Sequence, residues 1–247
     1  MIEATGLCKN FGEIEAVSNL SFSVAAGEVV GLLGPNGAGK TTTMRLLTTF
    51  LPPTGGTAKV AGWDICRESE SVRKNIGYLP ESPPLYPEMQ VGEYLKFIAQ
   101  LKGIPKKELR AKVEAVLERC ALDGVVKRLC AQLSKGYRQR IALAGALVHE
   151  PKVLILDEPT SGLDPAQIIE VRQMIRKLGE EHTVVLSTHI MQEVSETCSR
   201  VIIISGGRIV VQGNLAELTR EKCLEEKFLE AVAGTWPSCP PENGAAR

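Results

Sequence analysis

Residues 34–41 read Gly34-Pro35-Asn36-Gly37-Ala38-Gly39-Lys40-Thr41, a glycine-rich turn closed by a lysine and a threonine, and no other stretch narrows the possible folds so far. It follows an apolar run, Glu28 to Leu33, that predicts a buried strand. It precedes a helix expected from Lys40 to Phe50, which Pro52-Pro53-Thr54-Gly55-Gly56 ends. A strand, a glycine turn and a helix in that order let backbone N–H groups close around an anion. The helix N-terminus adds positive potential. Lys40 brings a full charge for the β- and γ-phosphates of a nucleotide, and the Thr41 hydroxyl is a hard oxygen donor for Mg²⁺. With Thr42 beside them, these residues form the expected ATP-binding set.

A second segment completes the chemistry. Leu154-Ile155-Leu156-Asp157-Glu158 is an apolar strand ending in two carboxylates. Beside a phosphate loop, Asp157 can hold Mg²⁺ through water. Glu158, one residue on, can polarise the attacking water as general base.

The rest of the chain reads as mixed α/β. Ala16-Val17 and Leu20 to Val24 alternate as short strands before a turn at Ala25-Ala26-Gly27-Glu28. Val91, Tyr94, Leu95, Ile98 and Leu101 form one helical stripe; Leu109, Val113, Val116, Leu117 and Cys120 form another, with Pro105 between them. Val153 to Leu156 and Thr183 to Ser187 read as strands covered on both faces. Asp164-Pro165 is an N-cap with proline at the first helical position, and Ile168, Val171, Ile175 and Leu178 line the helix that follows. Val201 to Ser205 and Arg208 to Gln212 form a hairpin about Gly206-Gly207. The end of the chain, rich in proline and small residues, is expected to be disordered.

Charge and cysteine content narrow the function. Lysine plus arginine and aspartate plus glutamate number 29 each, so nothing favours a general nucleic-acid or anionic-membrane binder. The seven cysteines are odd in number with no Cys-x-x-Cys pair, which fits a reducing cytoplasm and mostly buried thiols. Met1-Ile2-Glu3-Ala4 does not open as a secretory signal, and no apolar run approaches the roughly 20 residues of a membrane span. Any membrane role would need spans from a partner.

The segment Leu133-Ser134-Lys135-Gly136-Tyr137-Arg138-Gln139-Arg140, just upstream of the Asp157-Glu158 strand, resembles the signature of ABC ATPases, usually L-S-G-G-Q. Ser161-Gly162-Leu163-Asp164 resembles that family's D-loop, His189 its switch histidine, and Phe11 the aromatic that stacks on adenine. The motifs stand in the family's order over roughly residues 2–217. His149 and His182 have no place in the series. On its own chemistry the signature is a second anion-binding helix end, Ser134 preceding a helix expected from about Tyr137 to Val148. The resemblance implies that it serves the ATP of an opposite subunit in a head-to-tail dimer, a homodimer or one with a similar subunit.

The implied fold is an α/β, RecA-like phosphate-loop NTPase core with an N-terminal antiparallel β subdomain and an inserted helical subdomain. The expected ATPase domain covers 1–230, its helical part about 87–148, and a disordered tail 231–247. Three positions depart from the family pattern. Lys135 and Tyr137 replace a glycine and the glutamine of the signature. Glu81 stands where the family places a glutamine that senses Mg²⁺ and the membrane partner. These departures resemble the separately encoded ATPase subunits of bacterial drug, sodium and gliding-motility exporters. The expectation is therefore an ATPase on the cytoplasmic face of the membrane, held there by a separate permease subunit, with no nucleic-acid partner. The rival is an ABC ATPase not linked to transport. Its DNA-repair form needs a long coiled coil, and Thr41 and Ser134 are too close in sequence, without heptads, to hold one.

Overall fold

The computed structural model describes residues 1–220 and 222–234. Ile2–Phe11 (β1) and Ile14–Val24 (β2) pair antiparallel around a turn at Gly12-Glu13. Their alternation is that of a half-buried sheet: Ile2, Ala4 and Leu7 on β1, and Val17, Leu20, Phe22 and Val24 on β2, point inward. β2 is one strand rather than short pieces. Asn19 takes a left-handed φ of 52° and a register shift absorbs it. Val29–Leu33 (β3) runs into the phosphate loop and Lys40–Leu47 (α1) leaves it. The helix stops short of Phe50 because Thr49 turns left-handed, φ 61°, and the N–H groups of Phe50 and Leu51 both fold back onto the Arg45 carbonyl, at 2.9 and 3.1 Å. Phe50 is left exposed.

Gly55–Val60 (β4) returns to pair with β1, and Trp63–Asp64 (β5) closes a four-stranded antiparallel sheet of order β2-β1-β4-β5. Ser69–Asn75 (α2) then delivers Ile76–Leu79 (β6) to a second sheet. Three α-helices intervene before the next strand: Val91–Leu101 (α3), Leu109–Arg119 (α4) and Lys135–Leu147 (α5). α3 begins on a capping box between Gln90 and Glu93. Leu101 departs from its expected stripe and is exposed at the last position of α3.

The chain then alternates strand and helix as far as β9, through Val153–Asp157 (β7), Pro165–Gly179 (α6), Thr183–Thr188 (β8), Met191–Thr197 (α7) and Arg200–Ser205 (β9), and ends on Arg208–Asn214 (β10), Leu215–Leu218 (α8) and Leu224–Val232 (α9). Asp164 caps α6, accepting from the Gln167 N–H at 3.0 Å, with Pro165 at the first position. The six-stranded sheet has the order β10-β9-β3-β8-β7-β6, parallel except for β10. Every residue of β7 and β8 is buried, as expected of parallel strands covered on both faces. All but the first four residues of the expected tail lie outside the described residues. The six cysteines among the described residues are free, but Cys66 and Cys223 are exposed rather than buried.

One face of the parallel sheet packs against α1 and the antiparallel sheet, through Leu32, Met44, Leu47, Ile155 and Val185. The other face packs against α6 and the helical insertion, so that Leu95, Val116 and Leu143 share a single core with Leu154, Leu156 and Leu186. The two come close at Gly77. A β-carbon there would lie 2.3 Å from the Ala146 carbonyl of α5 and 2.8 Å from the Leu154 side chain. Gly77→Ala should therefore force α5 from β6 and cost about 1–3 kcal/mol, an overpacking penalty. A urea unfolding midpoint unchanged from the parent would show that the contact is slack.

Candidate functional site

The phosphate loop is held from both sides before it holds anything. Gly34 N donates to the Thr188 carbonyl at 3.3 Å, and Gly207 N, in the β9–β10 turn, donates to the Ala38 carbonyl at 3.0 Å. Gly39 has a φ of 102°, and a β-carbon on it would lie 2.5 Å from the Ala16 carbonyl, so no side chain fits between loop and β2. The loop, α1 and the ends of β7 and β8 enclose a cleft of about 430 Å³. Asn36, Gly37, Gly39, Lys40, Thr41 and Thr42 line one side; Glu81, Glu158, Ser161 and His189 line the other, with Ala16 at the edge.

Contacts join the two sides. Lys40 is 5% exposed, and its Nζ donates to the Gly34 and Pro35 carbonyls at 2.8 and 3.2 Å. The same ammonium lies 3.4 Å from Glu158 Oε1, whose other oxygen is 2.9 Å from His189 Nδ1. Thr41 Oγ1 donates to Asp157 Oδ1 at 3.1 Å. Asp157 is buried, and burial holds its carboxyl above the usual carboxylate range. The Ser187 and Thr41 hydroxyls act against that, while Glu158 and Glu81 add to it. A divalent cation would favour the charged form, and the donors nearby, hydroxyl and carboxylate oxygens, are those Mg²⁺ prefers. Among the described residues no cluster of three or more His, Cys, Asp or Glu could hold a metal alone. The donor set fits an ion that takes its other ligands from phosphate and water.

Ser187 is the residue that sequence reasoning missed. It pairs with Asp157 across the parallel β7–β8 ladder, and its hydroxyl donates to Asp157 Oδ1 at 2.5 Å. Ser187 Oγ also accepts from Glu158 N at 3.1 Å, alongside the Ser187 carbonyl at 3.1 Å. Those bonds hold Glu158 at a φ of 48°, an uncommon conformation for a residue other than glycine. A polar residue closing an apolar strand was the only available signal. His149 and His182 are structural: His149 meets the Ile76 carbonyl at 2.9 Å, burial lowering its pKa to about 4, and His182 meets that of Pro151 at 2.7 Å.

Other expected residues stand apart. Phe11 is exposed at the end of β1 with the Lys9 ammonium 5.2 Å from its ring, and it does not line the cleft. None of Leu133, Ser134, Lys135, Gly136 and Tyr137 lines it either. The signature helix starts at Lys135 rather than near Tyr137, because Ser134 caps it by accepting from the Tyr137 N–H at 3.4 Å. Gly136 therefore lies in its first turn, against Gln167 of α6. Lys135 reaches the D-loop of its own chain: a β-carbon on Gly162 would lie 2.3 Å from its Nζ. Tyr137 lies under the Arg140 guanidinium, 5.5 Å from its ring centre. Of the D-loop, Ser161 lines the cleft; Gly162, Leu163 and Asp164 lead from it to α6.

Known proteins share this architecture. Residues 17–161 match the family model described as ABC transporter. The chain is 41% identical, over 90% of its length and 74% of the relative's, to an uncharacterized ABC transporter ATP-binding protein of Bacillus subtilis. It is 39% identical, over 86% of its length and 70% of the relative's, to the Nod factor export ATP-binding protein I of Paraburkholderia xenovorans. A bacterial ABC transporter cassette solved as a dimer superposes with a TM-score of 0.79 at 26% identity, over 87% of this chain and 99% of that one.

The burial of Asp157 yields a pH prediction. A carboxyl held above its usual range favours the folded state only while protonated, so it opposes folding at neutral pH. Asp157→Asn, which keeps an acceptor for Ser187 and Thr41, should raise the thermal midpoint of the isolated chain at pH 7. The gain should fade as pH falls toward 3.8, the ordinary carboxyl value. A variant less stable than the parent at pH 7 would contradict this.

Proposed function

The chain belongs to the ABC transporter family as an ATP-binding subunit with ATPase activity, and from that premise we propose that it drives export by closing head-to-tail on ATP with a second copy, or with a similar subunit. The carrying observation is the meeting of Lys40, Glu158 and His189 in one cleft. In this reading a triphosphate in the loop takes the charge of Lys40, and its oxygens meet the loop N–H groups. Glu158, exchanged out of its ion pair, keeps His189 as orienting partner and takes a proton from the water that attacks the γ-phosphate. The β-phosphate oxygen leaves with ADP. Mg²⁺, when bound, neutralises charge on the β- and γ-phosphates, and Thr41, Asp157 and Glu81 are the residues that would hold it.

The ATPase domain is taken as 1–230, with its helical part over about 87–148. The signature, lying outside this chain's own cleft, suits a role on the ATP of the opposite subunit, and a dimeric cassette of the same fold supports that arrangement. Phe11 is assigned to the adenine. The relative named for Nod factor export supports an exporter. No described helix is long and apolar enough to cross a membrane, so the channel would come from a separate subunit and this chain would sit at the cytoplasmic membrane face. A groove of about 710 Å³ between β6 and the helical insertion is lined by Arg45, Phe50, Arg73, Tyr78, Tyr94 and Lys102; in this reading it would receive that subunit's cytoplasmic helix. Glu81, between groove and cleft, would couple the two.

Glu158→Gln should retain ATP binding, lose roughly 10²–10⁴-fold in turnover, the usual worth of a general base, and elute as an ATP-dependent dimer on size exclusion. Lys40→Ala should lose nucleotide binding or turnover. A Glu158→Gln monomer still hydrolysing ATP at the parent rate would overturn the reading.

A further inference from the structure

Glu193 lies on the first turn of α7, four positions beyond His189, and is 2% exposed. It belongs to none of the motifs above. Thr160 lies two residues beyond Glu158, where the chain leaves β7 for the D-loop, and is equally buried. The Thr160 hydroxyl donates to Glu193 Oε1. His189 Nδ1 in turn meets Glu158 Oε2 at 2.9 Å. These two bonds and the two short chain segments, 158–160 and 189–193, close a ring. The general base and the switch histidine sit on one side of it, and Thr160 and Glu193 close the other.

A ring of this kind has a physical consequence. Glu158 holds a left-handed backbone, φ 48°, which persists only where its surroundings over-determine it. Ser187 fixes its N–H side; Thr160 is the first hydroxyl on its C-terminal side to be anchored. α7 itself is steadied at its far end, where Glu196 pairs with Arg172 of α6 at 3.0 Å. A buried carboxylate is costly to keep and is seldom the best filler of a core, so packing alone is a poor account of it.

We propose that Glu193 is a positioning residue for ATP hydrolysis: through Thr160 it fixes the Glu158 carboxylate against His189, and so links the D-loop to the switch histidine. The proposal rests on the assignment of Glu158 as general base.

The test is steady-state ATPase of the full chain carrying Thr160→Val, Glu193→Leu, both together, and Glu193→Gln. Each of the first two should lower kcat about tenfold while KM for ATP stays within about twofold, because misplacement of a catalytic group costs rate rather than substrate affinity. Glu193 also meets Thr188 and the charge of Arg172, so the double variant should be no slower than Glu193→Leu alone, since Thr160→Val removes nothing that Glu193→Leu leaves in place. Glu193→Gln, which keeps a carbonyl acceptor for Thr160, should stay within about threefold of the parent. If Glu193→Leu fails to fold, the nearly isosteric Thr160→Val carries the test. Parent kcat in Thr160→Val, losses that multiply in the double variant, or a Glu193→Gln as slow as Glu193→Leu would each overturn the proposal. Should Glu158→Gln itself turn over ATP at the parent rate, the base assignment falls and this inference with it. A slow Glu158→Gln beside unaffected Thr160 and Glu193 variants removes this inference alone.

Discussion

The pairing of Asp157 with Ser187 at the carboxyl ends of β7 and β8 is the contact on which the site depends. Parallel strands bring their ends into step, so one register decides what faces the phosphate loop. Here it sets a serine hydroxyl between a candidate metal carboxylate and the backbone of the candidate base. A slip of one residue would turn Asp157 to the opposite face of the sheet. The left-handed backbone of Glu158 would then lose its N–H partner.

That arrangement carries an electrostatic load. Asp157 is buried with its carboxyl held above the usual range, and Lys40 and Glu158 are buried beside it. Burial of this kind is tolerable because each group has partners: two hydroxyls on Asp157, two carbonyls and a carboxylate on Lys40, an ammonium and an imidazole on Glu158. The acceptors on Lys40, two carbonyls and the Glu158 carboxylate, can be exchanged for phosphate oxygens, so the ammonium stays paired when an anion enters the loop.

The helical insertion is not a separate body laid against the sheet. Its apolar stripes run into the face that α6 also covers, and Gly77 lets α5 approach the β6 backbone closely. A shift of α5 would be felt at β6, and β6 leads directly to Glu81 on the cleft. The departures at Lys135 and Tyr137 also have local partners, Gly162 and Arg140, within the same chain. Lys135 thus brings the signature and D-loop segments into contact.

Much of this was legible in the sequence, for identifiable reasons. The phosphate loop, the Asp157-Glu158 pair, the buried β7 and β8 and the Asp164-Pro165 cap are local features; each depends on residues adjacent in the chain, where composition and spacing speak directly. Helix ends were less legible. α1 stops at Leu47 because Thr49 turns left-handed, and α5 begins early because Ser134 caps it. The continuity of β2 through Asn19 was hidden for the same reason, since a non-glycine residue carries little sign of a positive φ. By itself the sequence determined the strand–loop–helix core and singled out Lys40, Thr41, Asp157, Glu158 and His189, which the fold brings together. Only the tertiary structure decided the placement of Ser187, Thr160 and Glu193 around Asp157 and Glu158, and the separation of residues 133–137 from their own chain's cleft. Those follow from which strands are neighbours and in what register, and contacts of long sequence separation leave no periodicity in the chain to read.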